Sequence, residues 1–106
     1  MYKMVEFASG FSVSIQAGSR NYSSPKTDNA ESYESVELGF PSGPEPLIIG
    51  FAEDPDNPTG TVYGWVPAGV VQALIVKHGG IINGSCPPLQ MNANQAGIMA
   101  ESMAGT

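Results

Sequence analysis

The clearest pattern in the chain is a strict alternation of apolar and polar residues in its N-terminal part. Apolar residues occupy the odd positions from Phe11 to Ala17, and polar residues occupy the even positions between them. Side chains alternate across a β-strand with a period of two, so this segment predicts a half-buried strand. A second strand-like segment covers residues 2–8, and Ser9-Gly10 between the two indicates a turn. We therefore predict an antiparallel β-hairpin.

Three further segments have the character of strands. Residues 33–40 alternate again, with Val36, Leu38 and Phe40 on one face. Residues 46–52 form a continuous apolar run, which predicts a central strand that is covered on both faces. Residues 61–66 are rich in β-branched and aromatic side chains, which favour strands. The sheet is therefore predicted to contain four or five strands.

The apolar spacing changes to a helical one after Pro67, which suits the first position of a helix because it lacks an N–H. Gly79 is placed to end this helix in the left-handed conformation. The apolar stripe that would cover the sheet consists of Val70, Val71, Leu74, Ile75 and His78. We predict an α+β domain over residues 1–82, in which one helix at about 67–78 covers a small antiparallel sheet.

Residues 83–106 differ in composition and are predicted to form a C-terminal arm. Met91, Ile98 and Met103 would give it a ragged apolar edge if it were helical. The segment is weak as an isolated helix because Gly97 costs about 1 kcal/mol there. It is either a disordered tail or an arm that orders by packing on another surface, and its apolar residues are candidate interface residues.

The charge balance excludes one class of partner and permits another. Ten acidic residues against four basic ones give a net charge of −6, and only 13% of the residues are charged. Binding to a nucleic-acid backbone requires a basic patch, so we predict no such partner. The large neutral surface tolerates packing against another protein or against copies of the same chain.

Cysteine usage and hydropathy bear on the cellular setting. Cys86 is the only cysteine, so no internal disulfide is predicted. No apolar run approaches the roughly 18 residues of a membrane span, and the N-terminus lacks the apolar core of a signal peptide. We expect a cytoplasmic protein without a membrane association, in the host cytoplasm if the protein is encoded by a phage.

Two places have residues suited to chemistry, and both also have a structural interpretation. His78 and Cys86 could form a hydrolytic dyad in three dimensions, but His78 also suits the negative end of the helix dipole. The acidic loop 53–60 offers oxygen ligands for calcium, yet its spacing differs from that of an EF-hand and its Asp, Asn and Pro residues are typical of turns. We predict no enzyme activity, metal or cofactor.

Two further groups are candidates for binding. Arg20, Tyr22 and Lys26 gather in the loop at 18–26 and could hold a small anionic, nucleotide-like ligand. Tyr63 and Trp65 are two apart in a strand, so regular alternation places them on one face, either in the core or at an interface.

The leading hypothesis is a small intracellular binding protein that is not an enzyme. It would act by docking on another protein as an inhibitor or adaptor, would form homo-oligomers, and would belong with stand-alone proteins of phages or mobile elements. The alternatives are a binder of small anionic ligands that uses the 18–26 loop and a small hydrolase built on His78 and Cys86.

Overall fold

The N-terminal hairpin forms as predicted in the computed structural model, which describes residues 1–105. Strand β1 covers Val5–Phe7 and strand β2 covers Ser12–Gln16. The two strands are antiparallel, with Val5 opposite Val13. Alternate side chains of both strands are fully buried, because the apolar face of the hairpin lies on the core.

The hairpin supplies two of the three inner strands of a five-stranded antiparallel sheet. The other strands are β3 (Ser35–Gly39), β4 (Val62–Pro67) and β5 (Ile81–Asn83). The spatial order is β4-β3-β2-β1-β5, so β4 and β5 are the two edge strands. The predicted α+β class, with a small antiparallel sheet covered by a helix, is confirmed.

The prediction of a strand at residues 46–52 is wrong. This segment consists of turns followed by a short 3-10 helix at Ile49–Phe51. The backbone curls because the carbonyl of Glu45 accepts hydrogen bonds from the N–H groups of Ile48 and Ile49, both at 3.1 Å. The curl buries Ile48 completely, so the apolar run fills the core without joining the sheet.

Helix α1 covers Ala68–Lys77, within the predicted range of 67–78, but Pro67 is its N-cap and the last residue of β4, not the first helical residue. Its buried residues include Val70, Val71 and Leu74, which pack against the sheet. Gly79, at φ 83°, follows the helix in the left-handed region, where a glycine carries no steric penalty. The rest of the core is contributed by the sheet and its connections: Val5, Phe7, Val13, Ile15, Tyr33, Val36, Leu38, Ile48, Tyr63 and Val66.

Helix α2, at Ala93–Ala104, packs on α1 of the same chain. The side chain of Asn92 caps it by accepting a hydrogen bond from the N–H of Gln95 at 3.0 Å. Gln95 is buried, and its Oε1 accepts the N–H of Gly69 at 2.9 Å. Gly69 allows the two backbones to approach, because a Cβ there would collide with the carbonyl of Gln95. The C-terminal arm is thus ordered by α1.

Over residues 1–105, no helix combines the length and the apolar character that crossing a membrane requires.

Candidate functional site

The most unusual backbone feature of the sheet is a β-bulge at Trp65. Val36 pairs with Val66 and Leu38 pairs with Tyr63, so Glu37 alone faces both Gly64 and Trp65. Trp65 has a φ of 49°, in the left-handed region. This conformation costs a residue with a Cβ about 1–2 kcal/mol. The surrounding contacts must therefore hold Trp65 in place.

The bulge separates the two aromatic side chains of β4. Tyr63 is fully buried and its hydroxyl donates to the carbonyl of Pro58, whereas the side chain of Trp65 is 53% exposed. The prediction that they share a face is wrong, because the extra residue breaks the period of two. Tyr63 belongs to the core and is removed from the candidate interface residues.

The loop at 18–26 lies against the exposed tryptophan. The rings of Tyr22 and Trp65 stack with their centroids 4.8 Å apart, and Trp65 donates its N–H to the carbonyl of Tyr22 at 3.0 Å. The N–H of Tyr22 is in turn held by the Glu37 carboxylate at 3.0 Å. Gly64 leaves room for this loop, since a Cβ there would lie 3.3 Å from the Cβ of Tyr22.

Lys26 extends this group. Its Nζ lies 5.7 Å from the centroid of the Tyr22 ring, within the range of a cation–π contact. Tyr22, Lys26 and Trp65 therefore form one continuous group, which we call the aromatic surface. It combines two partly exposed aromatic rings, a residue type enriched at protein interfaces, with one lysine at its margin.

Arg20, the other basic residue of the loop, lies elsewhere. It lines an open depression of about 240 Å³ together with Asp28. Hydrogen bonds from the Ser19 backbone and side chain, followed by the charge of Arg20, lower the pKa of Asp28. Asp28 is therefore an anion beside Arg20 and opposes the binding of a second anion in this depression.

Cys86 and His78 have different surroundings. Burial raises the pKa of the Cys86 thiol to about 11, so the thiol is protonated and weakly nucleophilic at neutral pH. Cys86 packs against the core. His78 instead contacts Ser9, Glu45 and the ring of Phe11. This arrangement does not support a Cys–His dyad.

The acidic loop at 53–60 has the geometry of consecutive turns. Asp54 accepts the N–H of Asp56 on its side chain at 3.2 Å and the N–H of Asn57 on its carbonyl at 3.0 Å. These bonds are the local ones that Asp forms in turns. In the part of the chain that the structure describes, no group of three or more His, Cys, Asp or Glu side chains is arranged to hold a metal ion.

The apolar residues of the C-terminal arm are divided between the core and the surface. Ile98 packs against the core, whereas Met91 is 45% exposed and Met103 is 41% exposed. Met91 and Met103 therefore remain candidate interface residues, whereas Ile98 serves mainly to hold α2 in place.

Sequence reasoning missed two acidic residues that organise these regions. Glu37 supports the loop beneath the aromatic surface, and Glu45 binds both Lys77 and His78 at 2.9 and 2.7 Å. Both carboxylates reach partners more than ten residues away, and neither lies in a motif. Only the placement of Glu45 between two prolines marks it in the sequence as part of a rigid turn.

Comparisons of the chain with protein-family models, with curated proteins and with solved structures gave no match.

Proposed function

We propose that the protein is a small binding protein that docks on another protein through the aromatic surface. The observation that carries the proposal is the stacked pair of Tyr22 and Trp65 beside Lys26, in which Trp65 is 53% exposed although its backbone is in the left-handed region. Folding alone gains little from an exposed tryptophan in a strained conformation, whereas strained residues are frequent at binding sites. Trp and Tyr also contribute strongly to protein interfaces when a partner buries them.

The geometry favours a protein partner over a small anionic ligand. Tyr22 and Trp65 already stack on each other, so no ring can insert between them. Arg20 is directed to a depression that also holds the Asp28 carboxylate. The partner that suits the aromatic surface is a protein with an apolar patch and a carboxylate at its margin, which would meet Lys26. An inhibitor or adaptor encoded by a phage or other mobile element fits this description.

Trp65→Ala tests this proposal, with Phe40→Ala as the matched control. Phe40 is 57% exposed and has a φ of 52°, so it resembles Trp65 but lies outside the aromatic surface. Tagged wild type and both variants would be used to capture partners from lysate, and the dissociation constant of any captured partner would be measured. We expect Trp65→Ala to weaken binding at least about tenfold and Phe40→Ala to leave it unchanged, since interface hot spots exceed about 1.4 kcal/mol. Equal binding by all three proteins would contradict the proposal.

Self-association is a second candidate interaction, and a specific observation favours it. Strand β5 is an edge strand in which Ile82 is 69% exposed. The segment 79–86 contains no charged residue and no proline, which are two of the features that block pairing between edge strands. Two copies could therefore pair their β5 strands antiparallel and form one continuous sheet.

Ile82→Lys tests the self-association. We expect the wild-type protein to form a dimer in size-exclusion chromatography with light scattering, and the variant to be a monomer, because a lysine on the edge opposes pairing. Trp65→Lys is the control and should leave the dimer intact. A wild-type protein that remains monomeric at high concentration would rule out pairing through β5.

A further inference from the structure

We propose that Ser9 is a reactive nucleophile that accepts acyl groups from small aryl esters, with His78 as its base and Glu45 as the positioning residue. Ser9, His78 and Glu45 lie where the β1–β2 turn meets the end of α1. None of them belongs to the aromatic surface, so a failure of this proposal would leave the proposed docking unaffected.

Three side chains that are distant in sequence form a continuous hydrogen-bonded series here. Ser9 Oγ lies 2.7 Å from His78 Nδ1, and His78 Nε2 lies 2.7 Å from Glu45 Oε1. The β-turn holds Ser9, the end of α1 holds His78, and the turn before the 3-10 helix holds Glu45. This is the order of nucleophile, base and acid that activates a serine.

The carboxylate determines the direction of the hydrogen bonds. Glu45 is only 3% exposed, and its Oε2 accepts bonds from the Leu47 N–H and from Lys77 Nζ, both at 2.9 Å. Burial would raise the pKa of Glu45, but the bonds from Leu47, His78 and Lys77 and the charge of Lys77 together lower it. An ionised carboxylate only accepts hydrogen bonds, so Nε2 of His78 carries a proton. In the neutral ring, Nδ1 then accepts a hydrogen bond from the Ser9 hydroxyl.

The imidazole is also held by aromatic rings. Phe11 stacks on His78 with a centroid distance of 4.3 Å and an interplanar angle of 17°. The ring of Phe7 is tilted against His78, with the two centroids 5.7 Å apart. These contacts fix the ring plane, so that both nitrogen atoms keep their partners. Ser9 itself is exposed, and the neighbouring Gly10 is open, with no atom within 4 Å of where a Cβ would lie. A small ester can therefore reach Oγ.

In the reaction, Oγ of Ser9 forms a bond to the ester carbonyl carbon while its proton moves to Nδ1 of His78. The bond between that carbon and the aryl oxygen breaks, and the leaving oxygen takes the proton from His78. Water then attacks the acyl-serine with the same proton transfers, which releases the carboxylic acid and restores Ser9.

The backbone around Ser9 limits the substrate class. The N–H of Gly10 donates to the carbonyl of Phe7, and the N–H of Phe11 donates to Ser9 Oγ itself. Since neither group is free to stabilise an oxyanion, the ester must have a weakly basic leaving group. Aryl esters meet this condition, whereas amides do not.

The test is labelling with a fluorophosphonate probe, followed by intact mass and peptide mapping, together with the hydrolysis rate of p-nitrophenyl acetate. We expect one label on Ser9 in the wild type, no label in Ser9→Ala, and normal labelling in the control Ser12→Ala. Glu45→Gln should slow labelling at least tenfold and alter its pH profile, because the orientation of His78 is lost. His78→Gln should slow the labelling of Ser9 at least tenfold, because the base that accepts the Ser9 proton is lost.

Labelling of Ser9 that depends on His78 supports the proposal, even if Glu45→Gln proves too unstable to assay. An absence of labelling in the folded wild type, or labelling at another residue, overturns it. Labelling of Ser9 at the same rate in folded His78→Gln overturns the role of the imidazole as base.

Discussion

The two edges of the sheet are built in opposite ways. The outer side of β4 is covered by the chain itself: Trp65 donates its N–H to Tyr22, and Val62 accepts the N–H of Glu53. Among the described residues, strand β5 pairs with β1 alone, and all three of its residues are exposed. One edge is therefore covered within the chain, and the other is short and exposed.

This difference shows how an exposed strained residue is retained. At the covered edge, Trp65 is held by the Tyr22 ring, by a backbone bond and by the bulge opposite Glu37. At the bare edge, no comparable set of contacts within residues 1–105 surrounds Ile82, and Ile82 is not among the residues with a positive φ. A backbone outlier persists only where several independent contacts specify it.

The largest expected difference in stability is between a substitution at Tyr63, which is buried in β4, and one at Ile82, which is exposed in β5. Tyr63→Ala should lower the free energy of unfolding by about 3–5 kcal/mol, because it removes a fully buried aromatic ring. Ile82→Ala should lower it by less than about 1 kcal/mol, since Ile82 is mostly exposed. Urea unfolding measures both values. Similar losses for the two variants would mean that the edges are less different than the structure indicates.

The next effect concerns the contacts of Glu45, which hold the end of α1 just before β5. Glu45→Gln should cost about 2 kcal/mol at neutral pH, because bonds from a charged partner are lost in a buried site. Folding lowers the pKa of Glu45, so its contribution is present above its ordinary value of 4.5 and is lost as the pH falls through the folded-state pKa.

Urea unfolding of wild type and Glu45→Gln between pH 7 and pH 3 measures this dependence. The difference between them should narrow below pH 4.5, where the unfolded Glu45 takes up its proton. If the difference in the free energy of unfolding stays constant between pH 7 and pH 3, the ionised form of Glu45 stabilises the fold no more than the protonated form does.

A smaller effect is expected from loosening the cover of β4. Glu37→Ala removes the acceptor for the Tyr22 N–H and should cost about 1 kcal/mol. Hydrogen exchange at the Trp65 amide should accelerate more than exchange in β5. Glu6→Ala, beside β5, is the matched control and should leave the Trp65 amide unaffected. Equal acceleration at both edges would indicate general destabilisation.

The smallest effect on stability is expected at Trp65 itself. Trp65→Gly relieves about 1–2 kcal/mol of backbone strain but loses a stacking contact of about 0.5–1.5 kcal/mol and adds chain entropy. The free energy of unfolding should therefore change by less than about 1 kcal/mol, while partner binding falls as for Trp65→Ala. A loss of several kcal/mol would mean that Trp65 serves the fold rather than docking.

Much of the fold could be predicted because its signals are local. The hairpin follows from the alternation between Phe11 and Ala17, and α1 follows from Pro67, its apolar stripe and Gly79. The apolar run at 46–52 misled the prediction because periodicity alone does not distinguish a buried strand from a buried turn. Strand β5 is too short, at three residues, to show a pattern.

The candidate sites were less predictable than the fold. The sequence indicated Tyr22, Lys26 and Trp65 as separate candidates, and only the folded chain brings them together. The partnership of His78 with Ser9 was missed because 69 residues separate them. No local pattern reports a contact over such a distance.

The sequence by itself determined the fold class, the hairpin, helix α1 and an acidic, weakly charged surface, because these depend on composition and on neighbours within a few positions. Only the tertiary structure decided that Trp65 faces solvent while Tyr63 is buried, and that Glu45 gathers Lys77 and His78. The physical reason is that a bulge and a buried carboxylate depend on partners from distant parts of the chain, which only the packed fold brings into contact.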